Sequence, residues 1–204
     1  MIKNARYLLV VAFLSALGAC ATAPPERQEN ACEILKENRD WYSAIRKTSK
    51  KWGAPMGLQL AIIRQESGFR HDAKPARGER RMLGLLPGKR PSSAYGYAQA
   101  LDQTWDEYRS STGNNGAERD DFDDAVDFIG WYVNQTGRKT GMKQFDYRGH
   151  YLAYHEGPAG YQRGTWRSKR WLIDVANRVH SNADRYEHQI QGCRKQLKKR
   201  WLFW

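Results

Sequence analysis

Apolar residues recur at helical spacing through most of this chain, and sustained strand-like alternation is absent. Residues 31–52 carry Leu35, Tyr42, Ile45 and Trp52 at near-helical intervals, which predicts one helix. Gly53, Ala54 and Pro55 break it, and Pro55 suits the first turn of a second, apolar helix over 56–67. A short helix is expected over 103–110. Another is expected over 120–137, with Phe122, Val126, Ile129 and Val133 on one face and an Asp-rich first turn that complements the helix dipole. Residues 148–156 predict a further short helix, closed by the Gly/Pro-containing stretch 157–164. The last helix runs from about 168 to 192, with Leu172, Val175, Ala176, Val179, Ala183, Tyr186 and Ile190 inward. Between 70 and 93 lies a long, basic, Gly/Pro-punctuated loop with room for at most short strands. The pattern predicts a mainly α domain over residues 31–193.

The first residues follow a different pattern. Lys3 and Arg6 precede an apolar run, Tyr7 to Ala19, that is shorter than the roughly 20 apolar residues of a membrane span. This is the layout of an export signal. Its end, Leu17-Gly18-Ala19-Cys20, resembles the lipobox of bacterial lipoproteins. That resemblance implies removal of residues 1–19, lipidation of Cys20 and a periplasmic, lipid-anchored protein. Ala21 in place of Asp points to the outer membrane. Residues 20–30, polar and Pro-containing, read as a flexible tether. Export leaves Cys32 and Cys193 as a pair in an oxidising compartment, and a bridge between them is expected to clamp the first helix to the last. Residues 194–204 read as a basic and aromatic tail, its final Trp201, Leu202, Phe203 and Trp204 suited to a membrane interface.

Export changes what the charge means. The formal net charge is +12, and without Lys3 and Arg6 there remain 32 basic against 22 acidic side chains. A basic balance often marks a nucleic-acid binder, but an exported protein meets anionic cell-wall polymer and lipid headgroups instead. Eight Trp and eleven Tyr are compatible with a carbohydrate cleft.

The sharpest chemical signal is Glu66. Leu58, Ile62 and Glu66 are spaced i, i+4, i+8, so the carboxyl lies on the apolar stripe of its helix, at the C-terminal end. Desolvation and the helix dipole both disfavour the anion there and raise the pKa. A Glu brought towards neutrality is suited to general-acid catalysis.

Three segments give that acid a context. Glu66-Ser67-Gly68-Phe69 resembles the catalytic motif of the soluble lytic transglycosylase family, which has a lysozyme-like fold. Gly96 to Gln99 is similar to the family's Gly-x-x-Gln segment. Ala153, Tyr154, Gly157 and Pro158 resemble its Ala-Tyr-Asn-x-Gly-Pro segment, with His155 where Asn is usual. Asp102 replaces a usual Pro, and the Phe69–Gly96 span is longer than usual. The resemblance implies a peptidoglycan glycan substrate. Glu66 would donate to the bond between N-acetylmuramic acid and N-acetylglucosamine, then recover a proton as the muramic C6 hydroxyl closes a 1,6-anhydro ring. No cofactor or metal is implied, and a monomer is expected. Ser67 and Gln99 are expected to bind substrate or hold Glu66. Gly96 would allow close approach of sugar or backbone. Tyr154 would form an aromatic wall near Glu66, and His155 would lie on the cleft side or pack, beside a solvated Glu156.

Two other functions stay open at this point. A hydrolytic muramidase would need a second carboxylate, with Asp72, Asp102 and Glu156 the nearby candidates. A wall-binding lipoprotein would keep the cleft without turnover. Asp120, Asp121, Asp123 and Asp124 lack the Gly and closing Glu of a calcium loop and read as helix capping. No His/Cys/Asp/Glu spacing matches a metal site. The loop cations Lys74, Arg77, Arg80, Arg81, Lys89 and Arg90 read either as a solvated loop or as a lip for anionic peptide stems or a protein partner.

Overall fold

Helix follows helix along the chain. The structure, a computed structural model, describes residues 23–78 and 88–199. The helices are α1 (Ala31–Glu37), α2 (Arg39–Trp52), α3 (Met56–Ser67), α4 (Asp102–Thr112), α5 (Phe122–Thr140), α6 (Tyr147–Arg163), a 3₁₀ turn (Thr165–Ser168) and α7 (Arg170–Lys199). Among the described residues there is no strand, only an isolated bridge between Tyr95 and Ala100. The described part of the 70–95 loop, where short strands are allowed for, holds none, and residues 79–87 of it lie outside the described residues. No helix among the described residues is long and apolar enough to cross a membrane.

The single helix expected over 31–52 is two. Asn38 sits at φ −118°, ψ 83°, with its backbone N–H and its Nδ2 both bonded to the Ile34 carbonyl. Such local side-chain bonding competes with helix continuation. The break lets α1 lie on α7 while α2 packs on α5.

The central contact is α3 against α7. Gly57 makes it close: a Cβ there would lie 2.3 Å from the Ala183 carbonyl oxygen. The Gly57 N–H also donates to Glu187 Oε2 at 2.8 Å. From α7, Leu172, Ala176, Val179, Ala183, Tyr186 and Ile190 are fully buried, as their spacing predicted, while Val175 is only partly so. Gln59, also fully buried, donates to the carbonyls of Ile45 and Ala54 and so fixes the turn between α2 and α3.

Three expectations about boundaries need correction. The helix begun at Tyr147 does not end at 156. Gly157 (φ 73°, ψ 155°) and Pro158 redirect it, and it resumes to Arg163. Helix α7 continues through the start of the expected tail to Lys199, because Leu197 still finds the core. The aromatic end, Trp201 to Trp204, lies outside the described residues, as do residues 1–22 with Cys20 and Arg80 and Arg81 of the basic loop. The expected tether is not free over residues 25–30. Pro25 is buried, Gln28 Nε2 donates to the Gly68 carbonyl at 3.1 Å, and Glu29 pairs with Arg64 and Arg185. Asn30 then caps α1 through its side chain.

Cys32 and Cys193 are disulfide-bonded, with Cα atoms 6.1 Å apart across 161 positions of sequence. By chain entropy a loop of that length is worth about 5 kcal/mol.

Candidate functional site

The end of α3 is shaped by two consecutive left-handed residues. Gly68 (φ 59°) terminates the helix, with its N–H on the Arg64 carbonyl. Phe69 (φ 63°) is an unusual non-glycine residue in that region. The turn sends the Phe69 ring back into the core, fully buried, 5.8 Å from Trp41 and nearly parallel to it. Trp41 in turn stacks on Phe122 at 3.9 Å. Glu66 is thus set on a helix end anchored by an aromatic stack.

The Glu66 carboxyl is enclosed by protein on nearly every side, while the residue keeps a limited opening to solvent. Its bonded partner is the hydroxyl of Tyr151, which donates to Oε1 at 2.9 Å. Burial raises the Glu66 pKa to about 7, and the Tyr151 hydrogen bond opposes that rise. Tyr151 is itself buried, and desolvation together with the Glu66 charge pushes its phenol up, so it stays a donor. A buried carboxyl half-protonated near neutrality, with one fixed donor, can both give and recover a proton.

Sequence reasoning did not single out Tyr151. It stands three positions before Tyr154, on the same helix face, and that spacing was the available signal. Tyr154 also lies within electrostatic reach of Glu66 and is pushed well up by burial. Its hydroxyl, however, donates to the Ala98 carbonyl at 2.6 Å. It ties α6 to the 96–99 turn and does not hydrogen-bond the acid.

That turn is held largely by backbone contacts. Gly96 (φ 75°) is needed because a Cβ there would lie 2.0 Å from the Arg119 carbonyl oxygen; the close approach is to backbone. Gln99 holds φ 48°, and its Nε2 donates to the carbonyls of Ala73 and Gly96, both at 2.9 Å. It fastens the loop after α3 to the turn and does not hold Glu66. Ser67 Oγ donates to the Ile63 carbonyl one turn back and likewise leaves Glu66 alone.

His155 is exposed. Its ring meets Trp171 edge-on at 5.1 Å, and its Nδ1 lies 3.0 Å from Glu156. Glu156 is not the solvated residue expected. Lys169 Nζ at 2.7 Å, the Thr165 hydroxyl and His155 cover its carboxylate, and the first two of these hold its pKa down to about 2. The other candidate second carboxylates are also engaged: Asp102 with Arg119 at 2.8 Å, and Asp72 with Arg70 at 3.5 Å.

The acidic run before α5 has structural partners. Asp121 caps the helix through the Asp124 N–H, Asp124 accepts from Asn114 and the Glu118 N–H, and Asp120 accepts from Tyr95. Among the described residues no group of three or more His, Cys, Asp or Glu is placed to hold a metal ion.

A family model described as a transglycosylase SLT domain matches residues 8–193, which spans all three motif segments. No curated protein matches the chain.

Proposed function

The chain belongs to the transglycosylase SLT family of peptidoglycan-degrading lytic transglycosylases, and on that premise we propose that Glu66 alone carries both proton transfers of a non-hydrolytic cleavage. Protonated Glu66 donates to the glycosidic oxygen as the bond from the muramic C1 breaks. The muramic C6 hydroxyl oxygen then closes on C1, and its proton returns to Glu66. The products are an N-acetylglucosamine end and a 1,6-anhydro muramic end, with no water consumed. The intramolecular attack gains from proximity.

One observation carries this reading: Glu66 is an enclosed acid with a pKa near 7, bonded to Tyr151, while Glu156 is held by Lys169, and Asp72 and Asp102 lie exposed in surface ion pairs. A hydrolytic mechanism needs a second carboxylate free to activate water. We also propose that Cys20 is lipidated and that the enzyme works as a monomer from a periplasmic membrane face.

The test is mass analysis of muropeptides from purified sacculi digested by the wild type and by Glu66→Gln. Anhydro ends are expected from the wild type and none from the variant. Reducing ends from the wild type would reverse the mechanism, and full activity in the variant would remove Glu66 from it.

A further inference from the structure

His150 is a buried side chain of α6, 2% exposed, that the acid chemistry does not use. It precedes Tyr151 by one position, about 100° round the helix, so it meets different neighbours from those of Glu66. Its Nε2 lies 3.2 Å from the Lys143 carbonyl oxygen. A carbonyl only accepts, so Nε2 carries the hydrogen. Burial lowers the His150 pKa and keeps the ring neutral. Nδ1 is therefore a bare acceptor, and among the described residues it has no hydrogen-bond partner. A buried polar atom in that position is costly unless something donates to it.

His150 lines a cavity of about 200 Å³, set among the ends of α2 and α5, the 141–146 connection and the first turn of α6. His150 and Val133 are its buried floor. Met142 and Trp52 form half-buried walls, and the Trp52 indole is fixed by its Nε1, which donates to Asp127 at 2.8 Å. Gly53 and Gly137 contribute backbone only, which keeps the space open. Arg138 and Gln144 stand exposed at the rim. Neither Tyr151, which holds Glu66, nor any residue of the 96–99 turn lines this cavity.

The floor selects the chemistry of a ligand. Phosphate, sulfate and carboxylate only accept, so they leave Nδ1 unpaired. A charged amine would lose its hydration against a neutral, enclosed floor. An acetamido group meets each part of the site. Its N–H donates to Nδ1, its methyl packs on Val133 and Met142, and its carbonyl accepts from Arg138 or Gln144. The sugar ring that carries it suits the Trp52 wall. Asn134 donates its Nδ2 to the Trp52 carbonyl at 3.0 Å and keeps its Oδ1 for a sugar hydroxyl.

We propose that this cavity is a second, non-catalytic site for one N-acetylated sugar of peptidoglycan, its acetamido N–H on His150 Nδ1. The choice of sugar rests on the peptidoglycan reading above. The site holds a strand, or a released fragment, away from the acid and keeps the enzyme on the wall between cuts.

The test uses the full chain with nitrogen-isotope-labelled histidine and tryptophan, read by NMR, so that this cavity is seen apart from sugar bound beside Glu66. The probes are N-acetylglucosamine, glucosamine and soluble glycan strands stripped of peptide. N-acetylglucosamine should shift the His150 Nδ1 and Trp52 Nε1 signals saturably, and glucosamine should leave them in place. Arg138→Ala/Gln144→Ala, both at exposed positions, should weaken the binding about fivefold or more through the lost rim donors. His150→Leu should abolish the Trp52 response, and His150→Asn, which restores an acceptor, should recover part of it. On the Glu66→Gln background the rim pair should also reduce retention on sacculi by about fivefold. Cleavage of short soluble strands by the rim variant should be unchanged. Saturation at lower sugar concentration with strands than with the monosaccharide makes the strand the occupant, and equal concentrations make it the released fragment; both keep the site. It is overturned if N-acetylglucosamine leaves His150 unmoved, if glucosamine shifts it equally, or if the rim variant binds like the wild type. A His150 response without anhydro ends from sacculi keeps the site and sinks the lytic reading. Anhydro ends without a His150 response do the reverse.

Discussion

Two glutamates ninety positions apart occupy opposite environments in this fold. Glu66 is enclosed by protein with Tyr151 as a neutral donor and Tyr154 close by, so burial raises its pKa to about 7. Glu156 is covered by its own partners, a lysine, a hydroxyl and an imidazole, and is held near 2. Each ends a helical stretch, and their chemical type is the same. What separates them is whether the enclosing groups carry charge and hydrogens to offer. Enclosure without a cation raises a carboxyl's pKa, and enclosure by a cation makes a fixed anion.

The sharpest test of that contrast is turnover. Glu66→Gln should lower the rate of anhydro-end formation by about 10²–10⁴-fold, the usual contribution of general acid–base catalysis. Glu156→Gln, measured in the same assay, should stay far closer to the wild type. Equal losses would erase the distinction.

Stability gives the next largest effect, with opposite signs at the two sites. Glu66 has a folded pKa above its unfolded value, so the folded state loses stability as pH rises from about 4.5 through about 7. The shift corresponds to roughly 3 kcal/mol at and above neutrality. Glu66→Gln should therefore raise the urea midpoint at pH 8 and leave it nearly unchanged at pH 4. Glu156 has a lowered folded pKa, so its contribution is present above about 4.5 and fades as pH falls towards 2. Glu156→Gln should lower the midpoint at pH 7 by the equivalent of about 1 kcal/mol or less, given solvent screening, and the difference should shrink at pH 2.5.

The smallest effect concerns Tyr151. Activity should decline as pH rises through about 7, as Glu66 loses its proton. Tyr151→Phe removes the donor that stabilises the anion, so the alkaline limb of kcat/KM should move to higher pH. A limb that stays in place would mean the hydrogen bond does not tune the acid.

Much of this was legible in the sequence because it depends on local periodicity. The stripe of α7 and the placement of Glu66 on an apolar face follow from spacing, and the Cys32–Cys193 pair from the two cysteines left once an export signal is read. What escaped depends on where backbone groups end up. Nothing in the letters around Gln99 says that its amide would clasp the Ala73 carbonyl, 26 positions away, instead of the acid. Tyr151 was hidden by its more recognisable neighbour Tyr154. The segment 25–30 looked like a leash because it is polar and Pro-containing, yet Gln28 and Glu29 find partners on α3 and α7 that only tertiary packing supplies. Glu156 looked solvated because Lys169 lies thirteen positions on, beyond the Gly157 kink that brings it near.

The bond between Cys32 and Cys193 has a topological meaning beyond stability. It turns the chain between them from a line into a ring, and that ring contains the acid, the turn and the arms of the basic loop. A single peptide-bond cut within it, including one beside Arg77 or Arg90, opens the ring without parting the molecule. The severed ends remain tethered through sulfur, and the helices on either side stay at the local concentration of one folded body.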